Sequence, residues 1–396
     1  MALRTLIRLA AGLIAGVSAC AAAAAPDVVI GAIDDQSGVY ADNSGIVAIK
    51  MAIADAGGSV LGRRITLLTT DHQNKPDIGA SKFREWADQN GLSVVMGGSN
   101  TGVNIAMSKV AAAKKVPLFV VGAGGASLTN EDCTAYTVHY GYDTTALANG
   151  TATTIVKGGG RSWFFLTADY AFGTQLQTAA AKVVEASGGK VLGAVRVPLS
   201  ASDFSSFLLQ AQGSGAQVIG LANAGEDFVN SLKAANEFGV TKSMKPAGLL
   251  VFINNIHAIG LEAAQGLYLT EGWYWDMNDA SRAFAKRYAE IAKRPPNMVQ
   301  AAAYSATTQY LAAVRAAGTT DSDKVMAELK RLKINDMFAS GGYIRRDGVM
   351  IHDMYVMQVK SPSESRYPWD YYRLIRQMPG EEAFGPITGA CPLARK

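Results

Sequence analysis

Past its first 25 residues the chain alternates between two hydrophobic rhythms. Short, continuously apolar runs recur: "DVVIGAI" (27–33), "RITLLTT" (64–70), "LSVVMG" (92–97) and "VPLFVV" (116–121). Runs of this length read as strands buried on both faces. Between them the apolar positions change to helical spacing. Ile46, Ile49 and Ile53 define a helix in 43–57 that stops at Gly57 and Gly58. "PDIGASKFREWADQN" (76–90) opens on proline, which suits a helix entrance, and a further helix runs from about 102 to 115. Strand and helix in strict alternation predict a parallel sheet with helices on both faces.

A second run of the same kind begins near 145. "ALANGTATTIVKGGG" (146–160) is a helix ended by glycines, and "RSWFFLT" (161–167) is a strand. The unit repeats through "KVLGAVRVPL" (190–199), "AQVIGLA" (216–222) and "KPAGLLVF" (245–252), with helices between. From about 278 come three helical stretches, then short strands at "GGYIRRDG" (341–348), "MYVMQVK" (354–360) and "YYRLIRQ" (371–377). The tail from Pro379 reads as irregular. No low-complexity linker divides the halves, as expected if the chain crosses between two lobes more than once.

Composition narrows the class. With 49% apolar residues the 396-residue chain can bury a large core in two domains. The net charge of +4 is spread without a basic stripe, so nucleic acid is not an expected partner. Residues 1–25 differ in kind: Arg4 and Arg8 precede the apolar "LAAGLIAGV" (9–17), and a small-residue segment leads to Pro26. That order is the order of a secretory signal, removed on export, with a retained membrane anchor as the alternative reading. "VSAC" (17–20) also resembles a lipoprotein box, with Cys20 as the lipid acceptor. Once Cys20 is set aside, Cys133 and Cys391 remain. They are either a disulfide pair, in keeping with an oxidising compartment, or two free thiols. His72, His139, His257 and His352 are scattered, so no metal site is expected, nor is any cofactor.

Two glycine-rich turns follow buried strands. "GAGGAS" (122–127) nearly matches a dinucleotide fingerprint, but Ser127 stands at its last position and no apolar helix follows. "GGSNTG" (97–102) nearly matches a nucleophile elbow, but Gly102 falls one place late. Neither nucleotide binding nor hydrolysis is supported, and no enzyme is expected. Ser99, Asn100 and Thr101 instead stand where a strand turns into a helix. Amides and hydroxyls there attract an anion, although Ser99 or Asn100 capping the helix explains the same residues. Gly122, Ala123 and Gly124 would let main-chain amides approach a small ligand. Both turns then face one crevice at the carboxyl edge of the sheet, suited to a carboxylate rather than a phosphate.

Together "IGAIDDQSGVYADNSG" (30–45), "GGSNTG", "VGAGGASLT" (121–129) and "WFFLTADYAFG" (163–173) resemble, in order, the leucine/isoleucine/valine-binding type of periplasmic substrate-binding protein. The resemblance implies a type I periplasmic binding fold: α/β, with two Rossmann-like lobes joined by a three-crossing hinge. It divides the chain into a signal (1–25), lobe I (27–147 with 274–347), lobe II (148–273 with 348–378) and a tail (379–396). It implies a solute trapped by hinge closure and handed, by a monomeric protein, to ABC permease subunits in the inner membrane. A sensing receptor without transport would use the same chemistry.

Carried over by residue, the site comprises Ser99 and Ala123 at the two turns, Gly124 where amino-acid binders place a threonine, and Phe172 with Tyr170 as the lid. Asn223 is a further lining position; Tyr40 and Tyr142, read from this sequence itself, are either aromatic walls or core and hinge packing. Asn254 falls where amino-acid binders place the glutamate that pairs an ammonium. An enclosed ammonium without a counter-charge costs several kcal/mol. The expected ligand is therefore a carboxylate or amide, either of the branched-chain amino acid class or an aromatic or other acid lacking the α-ammonium. Glu226, Asp227 and Glu271 are candidate replacements for the missing charge.

Overall fold

The computed structural model describes residues 26–395. The signal expectation for 1–25 and the lipidation expectation for Cys20 lie outside the described residues. Fifteen strands form two main sheets and one hairpin among the described residues. The first sheet holds β1 (Val28–Asp34), β2 (Ser59–Val60), β3 (Arg63–Asp71), β4 (Leu92–Gly97), β5 (Leu118–Val120) and β6 (Thr137–His139). Its order is β2-β3-β1-β4-β5-β6, parallel except for the β2–β3 pair.

The second sheet holds β7 (Ser162–Ala168), β8 (Lys190–Val197), β9 (Val218–Ala222), β10 (Lys245–Gly248) and β11 (Tyr268–Glu271). After the hairpin of β12 (Tyr343–Ile344) and β13 (Met350–Ile351), β14 (Met354–Val359) and β15 (Tyr372–Met378) complete it. The order is β15-β14-β11-β10-β9-β7-β8, with β14 and β15 antiparallel. The sequence patterns explain the layers. β1 and β9 are buried at every residue, as strands covered on both faces must be. β8 alternates exposed and half-buried positions because it is an edge strand.

The chain passes between the sheets three times, at 140–143, 272–278 and 352–353. The crossings meet. His352 Nε2 lies 2.7 Å from Gly141 O, joining the third to the first. Gly272 packs so closely on the same carbonyl that a Cβ there would sit 2.8 Å from it. These passages are the three-crossing hinge that the resemblance implied.

Two local expectations need correction. The tail is not wholly irregular: Gly380–Phe384 forms a short helix, held by the Gly380 amide on Asp353 Oδ1 and by Asn149 Nδ2 donating to Ala383 O. Two further strands also complete the first sheet where the hydrophobic pattern predicts none, because β2 is only two residues long and β6 only three. The tail then runs back to the first sheet's side, where Cys391 is bonded to Cys133 across 258 residues of sequence.

Candidate functional site

The loop after β1 is built by buried carboxylates. Asp34 accepts the amides of Asp35 (2.8 Å), Ser99 (3.0 Å) and Gly45 (3.0 Å), tying the β1 turn to the β4 turn. Asp35 accepts the amides of Gly38 and Tyr40 at 2.7 and 3.0 Å, and Asn74 Nδ2 at 2.7 Å. Tyr40 is thereby held at the sheet edge. At the β4 turn Asn100 caps the helix Thr101–Lys114, its Oδ1 accepting the Val103 amide at 3.2 Å. Because Asp34 already takes the Ser99 amide, that turn offers the Ser99 hydroxyl, which has no partner within the protein. The amides of Thr101 and Gly102, in the first helical turn, are also unused.

The β5 turn is its counterpart. Tyr142 Oη donates to Gly122 O (2.7 Å), His139 Nε2 lies 2.7 Å from Ala123 O, and the Gly125 amide donates to Thr101 Oγ1 (3.1 Å). The carbonyls are thus tied back, while the amides of Ala123 and Gly124 carry no hydrogen bond. A Cβ at Gly124 would stand 2.9 Å from Tyr142 Cε2 and 3.1 Å from Phe172 Cε2. The glycine is what lets the two rings close over the turn; a threonine would not fit beneath them.

The second lobe closes onto these turns. Tyr40 Oη and Tyr170 Oη are hydrogen-bonded at 2.5 Å, and the Glu226 amide donates to Val39 O at 3.1 Å. Gln175 binds the Ser127 amide and hydroxyl through both ends of its own amide, at 3.0 and 3.1 Å. Between the lobes lies a cleft lined by Tyr40, Asn43, Ser99, Asn100, Thr101, Gly122, Ala123, Gly124, Tyr142, Tyr170, Phe172, Ala224, Leu250 and Phe252. Its cavity volume is only about 10 Å³, room for about one water molecule. The lobes are shut. Burial pushes the phenols of Tyr40, Tyr142 and Tyr170 upward, so all three are neutral hydroxyls.

Ten of the twelve residues singled out in the sequence line this cleft: Tyr40, Ser99, Asn100, Thr101, Gly122, Ala123, Gly124, Tyr142, Tyr170 and Phe172. The other two do not. Asn223 turns into its own lobe, where Nδ2 donates to Asp227 O (3.2 Å) and Ser231 Oγ (3.0 Å). Asn254 donates to Asn43 Oδ1 (3.2 Å) and accepts from Asn297 Nδ2 (3.0 Å), which also donates to Asn43 Oδ1 (2.8 Å). Asn254 is therefore a buried cross-lobe contact beside the cleft rather than a wall of it. Sequence reasoning misses Asn43, which no glycine-rich corner marks, and Ala224, Leu250 and Phe252, whose turns reach the cleft only through closure of the lobes.

No carboxylate lines the cleft. Glu226 is exposed, and Glu271 is buried beneath the cleft, where burial pushes its carboxyl well up. Asp227 is buried with Oδ2 accepting the Ser200 amide at 3.0 Å, and burial lifts it to about 6. Among the described residues no cluster of histidine, cysteine or acidic side chains could hold a metal, and no helix is long and apolar enough to cross a membrane.

A closed cleft at the carboxyl edges of two hinged parallel sheets is the architecture of a two-lobed solute receptor. The chain belongs to the periplasmic binding protein family, whose profile matches residues 27–365. It is 59% identical to a periplasmic binding protein of Burkholderia mallei, with a TM-score of 0.91 over 93% of this chain and 99% of that one. A branched-chain amino acid ABC transporter periplasmic ligand-binding protein of Burkholderia xenovorans is 34% identical, with a TM-score of 0.82 over 93% and 100%. Leu/Ile/Val-binding protein homolog 6 of Brucella melitensis is 25% identical over 59% of this chain; the match spans 60% of that relative's length. Two solute-binding proteins of Rhodopseudomonas palustris share the fold. One, solved with benzoate, is 18% identical (TM-score 0.82, 92% and 98% covered). The other, solved with p-hydroxybenzoic acid, is 23% identical (TM-score 0.80, 89% and 97% covered).

Proposed function

We propose that this protein is the extracytoplasmic solute receptor of an ABC importer and that its solute is a small carboxylic acid with an apolar, aromatic-sized body and no α-ammonium. One observation carries the choice of solute: none of the fourteen lining residues is charged. The carboxylate end is received by the Ser99 hydroxyl, the unused amide of Thr101, and the amides of Ala123 and Gly124. These donors suit an anion because neutral, preorganised N–H and O–H groups replace its water without a desolvated counter-ion. Tyr142, Phe172 and Phe252 supply walls for a ring. An ammonium in the same space would meet only neutral dipoles, at a cost of several kcal/mol.

The physiological cycle is hinge closure. The solute binds the closed arrangement better than the open one, and that difference is what a permease would read. The test is a thermal-shift and calorimetry panel on the mature protein with leucine, valine, benzoate and phenylacetate. Stabilisation by the aromatic acids and none by leucine is expected; strong leucine binding with no response to aromatic acids overturns the reading of the solute.

A further inference from the structure

We infer that the solute carries, at the end opposite its carboxylate, a hydroxyl that bridges Tyr40 and Tyr170. The inference rests on the carboxylate reading above and adds what the far end of the site demands. The strand order fixes the two ends. The carboxylate donors stand at the tips of β4 and β5, whereas Tyr40 and Asn43 stand on the loop after β1, on the other side of β4 in the sheet. A solute lying along the sheet edge therefore has its acid at one end and Tyr40 at the other.

Tyr40 belongs to one lobe and Tyr170 to the other, and their hydroxyls meet at 2.5 Å inside the cleft. The free space is too small for a six-membered ring, so a bound ring holds the lobes further apart and separates this pair. Tyr40 is buried and Tyr170 half-buried, and a hydroxyl that loses its partner away from water pays its desolvation. A solute hydroxyl can accept from one phenol and donate to the other, restoring both contacts across the lobes. An unsubstituted ring edge can restore neither. Asn43 Nδ2, which carries no bond within the protein while Oδ1 accepts two, is a further donor at the same end. A site built to hydrogen-bond a hydroxyl discriminates strongly against the analogue without it, because its own groups are then left unpaired.

The experiment is calorimetry on the mature protein, stripped by unfolding and refolding, with 4-hydroxybenzoate, benzoate and leucine, repeated on Tyr40→Phe and Tyr170→Phe. Expected is at least tenfold tighter binding of 4-hydroxybenzoate than of benzoate, with the ratio falling toward one in each variant. The ratio is taken within each protein, so a general loss of stability does not mimic the effect; thermal melting confirms folding. Equal affinities in the wild type, or a ratio that survives both substitutions, overturns this inference and leaves the carboxylate reading standing. Binding of leucine alone, or of none of the three by folded protein, removes the aromatic-acid reading and this inference with it.

Discussion

The amide of Glu226 donates to Val39 O at 3.1 Å across the two lobes, and the neighbouring Gly225 approaches so closely that a Cβ there would lie 2.3 Å from the same oxygen. This pair sets how far the lobes can shut. Gly225 also holds φ at +63°, a region that suits glycine. Gly225→Ala is expected to hold the lobes ajar. Solute affinity should fall at least tenfold, and small-angle scattering with saturating solute should remain larger than for the wild type. A fully compact, tight-binding variant would contradict this.

Asn254 joins Asn43 and Asn297 only when the lobes are together, since it comes from the second lobe's side and they come from the first. Asn254→Ala removes two hydrogen bonds, together on the order of 2 kcal/mol. The expected result is roughly a thirtyfold weaker Kd, expressed in the dissociation rate, with the ranking among solutes preserved. A changed ranking would mean that Asn254 touches the solute directly.

Burial pushes the Asp143 carboxyl, at the first crossing, up to about 7, although its Oδ1 accepts the Ala146 amide at 2.7 Å and Arg345 acts in the opposite sense. Its folded value thus lies above the unfolded one of 3.8. The stability it contributes is complete below that lower value and is lost as pH rises through about 7. Asp227, lifted to about 6, acts in the same direction. Asp143→Asn keeps a helix cap and removes the charge. Its melting temperature should match the wild type near pH 4 and exceed it by several degrees near pH 8. Between those limits, each pH step of one that the wild-type carboxyl spends ionised in solution but protonated in the fold is worth about 1.4 kcal/mol. Identical profiles would contradict the assignment.

Cys391 is fully buried and bonded to Cys133. Cys391→Ser, or reduction of the wild type, is expected to lower unfolding stability by about 2–4 kcal/mol. Calorimetric unfolding with and without reductant measures it.

Much of this is legible in the sequence, and the gaps have physical reasons. Continuous runs such as VVIGAID and VIGLA can only be doubly covered strands, so the alternating lobes can be read directly. β6, with one valine between Thr137 and His139, carries no such signal. Ser99 and the 122–124 turn are legible because glycine-rich corners after buried strands are backbone approach points. Ala224, Leu250 and Phe252 are not: they are lining residues by virtue of one lobe meeting the other, which no local pattern encodes. Asn254 has the sequence neighbourhood of a site residue, but hydrogen bonding to two other amides turns it aside.

The Cys133–Cys391 bond also changes what a protease can do to this molecule. It closes a covalent ring that contains every strand from β6 to β15. A single cut anywhere within that ring leaves both pieces linked, so the nicked second lobe stays tethered at both ends to its partner and can re-form in place.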